Sequence, residues 1–300
     1  MPLVGVGDLE LCYELDGGPD EPVVVLVAGL GSSLATWDPR FLAMVREAGF
    51  AVLRFDNRDS GRSTVLDRAP AFDLRAAARG DRSVVAYTLD DLADDLAGLL
   101  DALGVESAHV VGVSLGGMIA QTAAVRHPAR VRSLCSIMST TGARQVGQAR
   151  PGAAPVLVRP PAIDRDGFVA GELDNQEVIG SSAPAFVDEQ WRRAKAERIW
   201  DHGVHPRGTG RLLMAVVASG DRTAALASVR APTVVIHGDA DPLIDVSGGR
   251  ATAAAVPGAR LVVIPGLGHE LPPAVWPEVV EALADNARRA GAAAGAEAQS

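Results

Sequence analysis

Three hundred residues with 48% hydrophobic side chains hold enough apolar surface for one large α/β domain with an insertion, or for two ordinary domains. A formal net charge of -9 and a pI near 5.2 argue against nucleic acid or an anionic membrane as partner, because an acidic surface attracts neither. That balance fits a small, largely uncharged substrate. Nearly all the positive charge is arginine, with Lys195 the only lysine.

The first residues, MPLVGVGDLELCY, carry neither a basic leader nor a long apolar run, and no stretch reaches the ~18 apolar residues needed to span a bilayer. A cytoplasmic location is expected. Cys12 and Cys135 lie far apart, and the apolar setting of Cys135 predicts two free thiols.

Strand-like and helix-like segments alternate, which predicts a mostly parallel sheet covered by helices on both faces. The apolar run from Pro22 to Ala28 reads as a central strand ending in Gly-Leu-Gly, and Phe50 to Phe55 as a second. Thr88 is placed to cap a helix whose leucines, from Leu89 to Leu103, recur at helical spacing. Beside them Asp90, Asp91, Asp94 and Asp95 read as a solvated face. His109 to Val113 is the next strand, Leu115 to about His127 a helix, and Val131 to Met138 a strand.

From Ser139 to about Asp221 the pattern changes. Pro151, Pro155, Pro160 and Pro161 interrupt the chain, and amphipathic pieces surround Trp191 and Trp200. The sheet pattern resumes with Pro232 to Gly238 and Ala259 to Pro265, and Trp276 to Ala290 reads as a closing helix. The expected division is a core of residues 1–138 and 222–290, a mainly helical cap of 139–221, and a disordered tail of 291–300.

Gly112-Val113-Ser114-Leu115-Gly116 matches a nucleophile elbow, in which the glycines let a strand turn sharply into a helix and expose the serine. The pattern alone is weak, but here a strand ends at it and a helix begins from it. A serine hydroxyl needs a base within reach and a carboxylate to orient that base. Two later strands run into loops that supply them in the expected order: Gly238-Asp239-Ala240-Asp241-Pro242 and Pro265-Gly266-Leu267-Gly268-His269. Of six histidines only His269 sits in such a loop; His127, His202, His205, His109 and His237 read as surface or core residues. Asp239 and Asp241 both qualify as the acid, with Pro242 favouring Asp241. Ser139, at the end of a strand, leaves an alternative acid position without a carboxylate.

An oxyanion requires preorganised N–H donors. The Leu115 amide follows the nucleophile, and the loop Ala28-Gly29-Leu30-Gly31 can present that of Leu30. The same loop lacks the G-K-[ST] and Gly-x-Gly-x-x-Gly features of a phosphate cradle. Trp37, Trp191, Trp200, Met118, Met138 and Met214 are candidates to line an apolar pocket, Trp37 and Met118 foremost. The sequence offers no cluster of metal ligands, and no cofactor or metal is expected.

These residues resemble the α/β-hydrolases, and within them the esterase group typified by aclacinomycin methylesterase, with cofactor-free haloperoxidases as relatives. The resemblance lies in Leu26 to Trp37, Phe55 to Thr64, Ala108 to Gln121, Pro232 to Ile244 and Leu261 to Pro273. It implies Ser114 as nucleophile, Asp241 as acid, His269 as base, and Leu30 with Leu115 as the oxyanion hole. Asp56 to Ser63 matches a structural loop above the site, so Asp56 and Arg58 are expected to hold that loop. Ala28 departs from the family, where many members have histidine. The function implied is hydrolysis of a small to medium apolar carboxylic ester, such as a methyl ester, through an acyl-enzyme. A lactone, a C–C bond or peracid formation would use the same triad. A ligand sensor on a hydrolase scaffold would not use it, and the complete triad argues against that reading.

Overall fold

The computed structural model describes residues 1–66, 72–160 and 162–297. Eight strands form one sheet: β1 (Leu3–Val6), β2 (Leu9–Asp16), β3 (Val23–Val27), β4 (Ala51–Phe55), β5 (Ala108–Val113), β6 (Val131–Ile137), β7 (Thr233–Gly238) and β8 (Arg260–Ile264). Their order is β1-β2-β4-β3-β5-β6-β7-β8. The β1–β2 hairpin, which turns at Gly7-Asp8, and the β2–β4 pair are antiparallel. Every pairing from β4 to β8 is parallel. All five residues of β3 are apolar, because parallel strands are covered on both faces. Its side chains alternate accordingly: Val25 and Val27 join one core, Val24 and Leu26 the other.

The helices, in chain order, are α1 (Pro39–Glu47), α2 (Leu74–Ala78), α3 (Leu89–Ala102), α4 (Leu115–Arg126), α5 (Arg165–Ile179), α6 (Glu189–His202), α7 (Pro206–Ser219), α8 (Thr223–Leu226), α9 (Ser247–Ala255) and α10 (Trp276–Glu297). One core holds the buried faces of α3 and α4; the other holds those of α1 and α10. Thr88 starts α3 as expected, its N–H donating to the Asp91 carboxylate at 2.7 Å. The acids of α3 are not all solvated. Asp95 is buried and takes two 2.6 Å hydrogen bonds from the Arg58 guanidinium, while Asp94 pairs with Arg126.

The tail also departs from expectation. Where disorder was expected from 291, α10 continues to Glu297, since the alanines there are strong helix formers. Residues 298–300, like Pro161, lie outside the described residues. Between β6 and β7 the chain leaves the sheet and builds α5, α6, α7 and α8. The loop after β4 holds this excursion. Asp56 accepts from His202 Nε2 of α6 at 2.7 Å, and Asp59 pairs with Arg211 of α7 at 2.5 Å. Cys12 and Cys135 are buried and unbridged.

Candidate active site

The elbow is built by close approach. A Cβ at Gly112 would stand 2.0 Å from the Gly116 oxygen, and one at Gly116 would stand 2.1 Å from the Val27 oxygen, so only hydrogen fits at either position. Ser114 itself carries φ 56° and ψ -117°, a conformation that β5 and α4 impose and that side chains rarely adopt. Its Oγ lies 3.0 Å from His269 Nε2, and His269 Nδ1 lies 2.7 Å from Asp241 Oδ2. Serine, histidine and aspartate thus arrive from the loops after β5, β8 and β7.

Asp241 is fully buried. Its Oδ1 accepts the Leu243 and Ile244 N–H groups at 2.8 and 2.9 Å. Burial alone would raise its pKa, but the neighbouring His269, hydrogen bonds to His237 and His269, and the Ile244 N–H together hold it well below the ordinary carboxylate range. Asp239, by contrast, is exposed and accepts the Gly266 N–H at 2.6 Å, bracing the histidine loop from outside. His237, read as a plain strand residue, stands behind the acid: its Nε2 is 3.5 Å from Asp241 and 2.7 Å from the Ile244 oxygen. Ser139, at the position without a carboxylate, donates to the Ser114 carbonyl at 2.9 Å and steadies the elbow.

The two expected oxyanion donors flank the serine. Among the described residues neither the Leu30 nor the Leu115 N–H has a hydrogen-bond acceptor. Leu30 borders a cavity of about 250 Å³ that also opens on Ser114 and His269. Trp37, Trp191 and Met138 line this cavity, and Trp276, not read as a pocket residue from the sequence, joins them. Met118 does not line it. It packs in the core beside Leu115 and Ile119, because ten of the twelve residues of α4 are buried and the helix has no free face toward the site. Met214 is likewise fully buried, and Trp200 packs against Phe168 with ring centroids 5.5 Å apart.

The base loop rests on the helical excursion. The His269 N–H donates to the Ile179 carbonyl at 2.7 Å and the Gly268 N–H to Ser181 Oγ at 2.8 Å. Ser181 N–H in turn donates to Glu270 at 2.6 Å, and Glu270 is paired by both Nε and Nη2 of Arg192 on α6 at 3.0 and 2.6 Å. Cys12, Asp56 and His202 bring metal-ligand atoms within 4.8 Å of one another. The Asp56 oxygens there already accept from Leu34 N, Arg62 N and His202 Nε2, so the cluster works as a bolt between loop and helix. Among the described residues no helix is long and apolar enough to cross a membrane.

A parallel sheet with a serine elbow after its central strand and a histidine loop after its last defines a hydrolase scaffold. The α/β-hydrolase fold family matches residues 22–272, and the chain belongs to it. It is 28% identical to rhodomycin D methylesterase DauP of Streptomyces sp. (strain C5) over 94% of this chain and 96% of that protein. Among solved structures it superposes on a hydrolase from Pseudomonas aeruginosa PA01 with a TM-score of 0.69 and 28% identity, covering 96% and 97% of the two chains. A thermophilic esterase from Thermogutta terrifontis shares the fold with a TM-score of 0.71 at 24% identity, over 96% and 98%.

Proposed function

We propose that the chain is a carboxylic ester hydrolase acting through Ser114, His269 and Asp241. The observation that carries this reading is the unbroken run of short contacts from Ser114 Oγ through the imidazole to a buried carboxylate, opening on a largely apolar cavity. Ser114 Oγ attacks the ester carbonyl as its proton passes to His269 Nε2. The tetrahedral oxyanion is held by the Leu30 and Leu115 N–H groups, donors of a kind worth roughly 3 to 4 kcal/mol each. Collapse expels the alcohol, protonated by His269, and water then releases the acid from Ser114 by the same steps in reverse.

The buried Asp241 stays ionised and so stabilises the imidazolium throughout. Residues 139–221 act as the cap that walls the pocket. The likeness to a methylesterase supports a small to medium apolar ester, a methyl ester above all. The two unbridged thiols suit a reducing, cytoplasmic setting. Ser114→Ala should abolish hydrolysis of p-nitrophenyl butyrate while the thermal melt stays cooperative. Residual activity within about tenfold of wild type would place the nucleophile elsewhere.

A further inference from the structure

The cavity above Ser114 is apolar on most sides, yet helices α5 and α6 bring a set of unsatisfied polar groups to it. Glu172, Asn175 and Gln176 share one face of α5, and Trp191 and Lys195 share one face of α6; all five line the cavity. Lys195 Nζ lies 4.8 Å from the centroid of the Trp191 ring, and among the described residues no carboxylate oxygen is within ion-pair distance of it. The carboxylates that act on it from a distance are Glu172 and Glu270, the guanidiniums Arg192 and Arg198. Glu270 is already taken up by Arg192 and the Ser181 N–H. Glu172 accepts a hydrogen bond from Asn175 Nδ2 at 3.1 Å. Burial raises the pKa of Glu172 and lowers that of Lys195, so both charges are poorly solvated. Three more polar atoms there, Gln176 Oε1, Asn175 Oδ1 and Trp191 Nε1, are buried without partners. Gln176 and Trp191 are only 7% and 5% exposed.

Buried polar groups of a folded chain are nearly always satisfied, so unmet ones on side chains that line a cavity point to a wall that meets a ligand's polar atoms. The charges narrow its chemistry. A carboxylate would meet Lys195 but also the Glu172 carboxylate and the two amide oxygens. An ammonium group would face Lys195. A purely apolar group would leave Lys195 without a counter-charge and Asn175 Oδ1, Gln176 Oε1 and Trp191 Nε1 without partners. An uncharged group that carries an acceptor oxygen beside a hydroxyl answers both signs at once: the carbonyl accepts from Lys195 or Trp191, and the hydroxyl donates to Glu172 or Gln176.

We propose that Lys195 and Glu172, with Gln176 and Trp191, form a subsite that selects esters bearing a neutral hydroxy-carbonyl group away from the scissile bond. This inference rests on the ester-hydrolase reading for its kinetic arm only. Three methyl esters of matched chain length, ending in phenyl, in carboxylate, or in 2-hydroxyacetophenone, are compared on wild type, Lys195→Met and Glu172→Gln, each checked for a cooperative melt. Wild type should prefer the hydroxyacetophenone ester to the phenyl ester by about tenfold or more in kcat/KM, mostly through KM. Lys195→Met should reduce that preference toward parity. Glu172→Gln should improve the carboxylate ester relative to the other two, by removing the repelling charge.

Equal or reversed preference on wild type, or a preference unaffected by Lys195→Met, overturns the subsite. Turnover of p-nitrophenyl butyrate separates this failure from failure of the ester-hydrolase reading. A binding arm stands without turnover: calorimetric titration should show 2-hydroxyacetophenone binding wild type more tightly than acetophenone, with the difference lost in Lys195→Met. No difference between the two ketones sinks the inference whatever the chain hydrolyses.

Discussion

Asp241→Asn replaces one carboxylate oxygen with an NH₂ group, and the surrounding geometry dictates how the amide must sit. Asp241 Oδ1 accepts two backbone N–H groups, from Leu243 and Ile244, in a fully buried position. The asparagine carbonyl must take that place, since the opposite flip would point an NH₂ at two donors and leave both unmet, at about 1–3 kcal/mol each. The NH₂ then faces His269 Nδ1, where Oδ2 stood at 2.7 Å. Nδ1 is thereby made the acceptor, so the proton moves to Nε2 and points at Ser114 Oγ, and the imidazole no longer takes the serine proton. A loss of roughly 10³ to 10⁴ in kcat follows, about 4 to 5.5 kcal/mol of transition-state stabilisation, with KM little altered. Asp239→Asn keeps an acceptor for the Gly266 N–H at an exposed site and should cost less than about tenfold. Steady-state hydrolysis of p-nitrophenyl butyrate by the two variants decides the matter. If Asp239→Asn is nearly inactive and Asp241→Asn nearly normal, the tautomer argument is wrong.

Glu270→Gln leaves the buried Arg192 guanidinium with only the exposed Glu177 carboxylate, 3.8 Å away, so urea unfolding should show a loss of about 3–5 kcal/mol; a loss under about 1 kcal/mol would deny the pair its place in the histidine loop. His109, buried against Phe50 and bonded to Ser133, is held down to about 4 by burial. The unfolded chain binds that proton near pH 6.5, so the contribution is intact above about pH 6.5, erodes as pH falls, and is lost by about pH 4. His109→Gln should flatten this part of the urea-midpoint curve; an unchanged slope contradicts it. Burial pushes the Cys12 thiol up to about 11 and the Cys135 thiol to about 12, so a disulfide reagent at about pH 8 should label neither until the chain is unfolded. Rapid native labelling would contradict their burial.

The central strands and the elbow were legible because their signals are local: five consecutive apolar residues in β3, and two glycines spaced around one serine. The same holds for the order of acid and base, each a short loop directly after an apolar strand. The choice of Asp241 rested on Pro242 and on family likeness, and what distinguishes it physically is the pair of N–H groups on Oδ1, a loop geometry that no periodicity encodes. The hairpin of β1 and β2 and the helix α1 went unread: β1 has only four residues, and charged residues break the apolar pattern of β2 at Glu10 and Glu14 and of α1 at Arg40 and Arg46. The Arg192–Glu270 pair and the shared cavity wall of Lys195 and Glu172 arise where separate segments pack together, 78 residues apart in the case of Arg192 and Glu270, while His237, four residues before Asp241, reaches it only through the turn that follows β7. Met118 was misplaced for a related reason. A helix buried nearly all round has no pattern to say which side meets the site.

The anchoring of the His269 loop on Ile179, Ser181 and Arg192 makes the helical excursion a part of the frame that holds the imidazole as well as a wall of the pocket. On the proposed mechanism, substrate range and catalytic competence are inherited together. A chimera that borrows residues 139–221 from another hydrolase must carry over Ser181 and Arg192, matched to Glu270, or the recipient gains a new pocket over a histidine that has lost its footing.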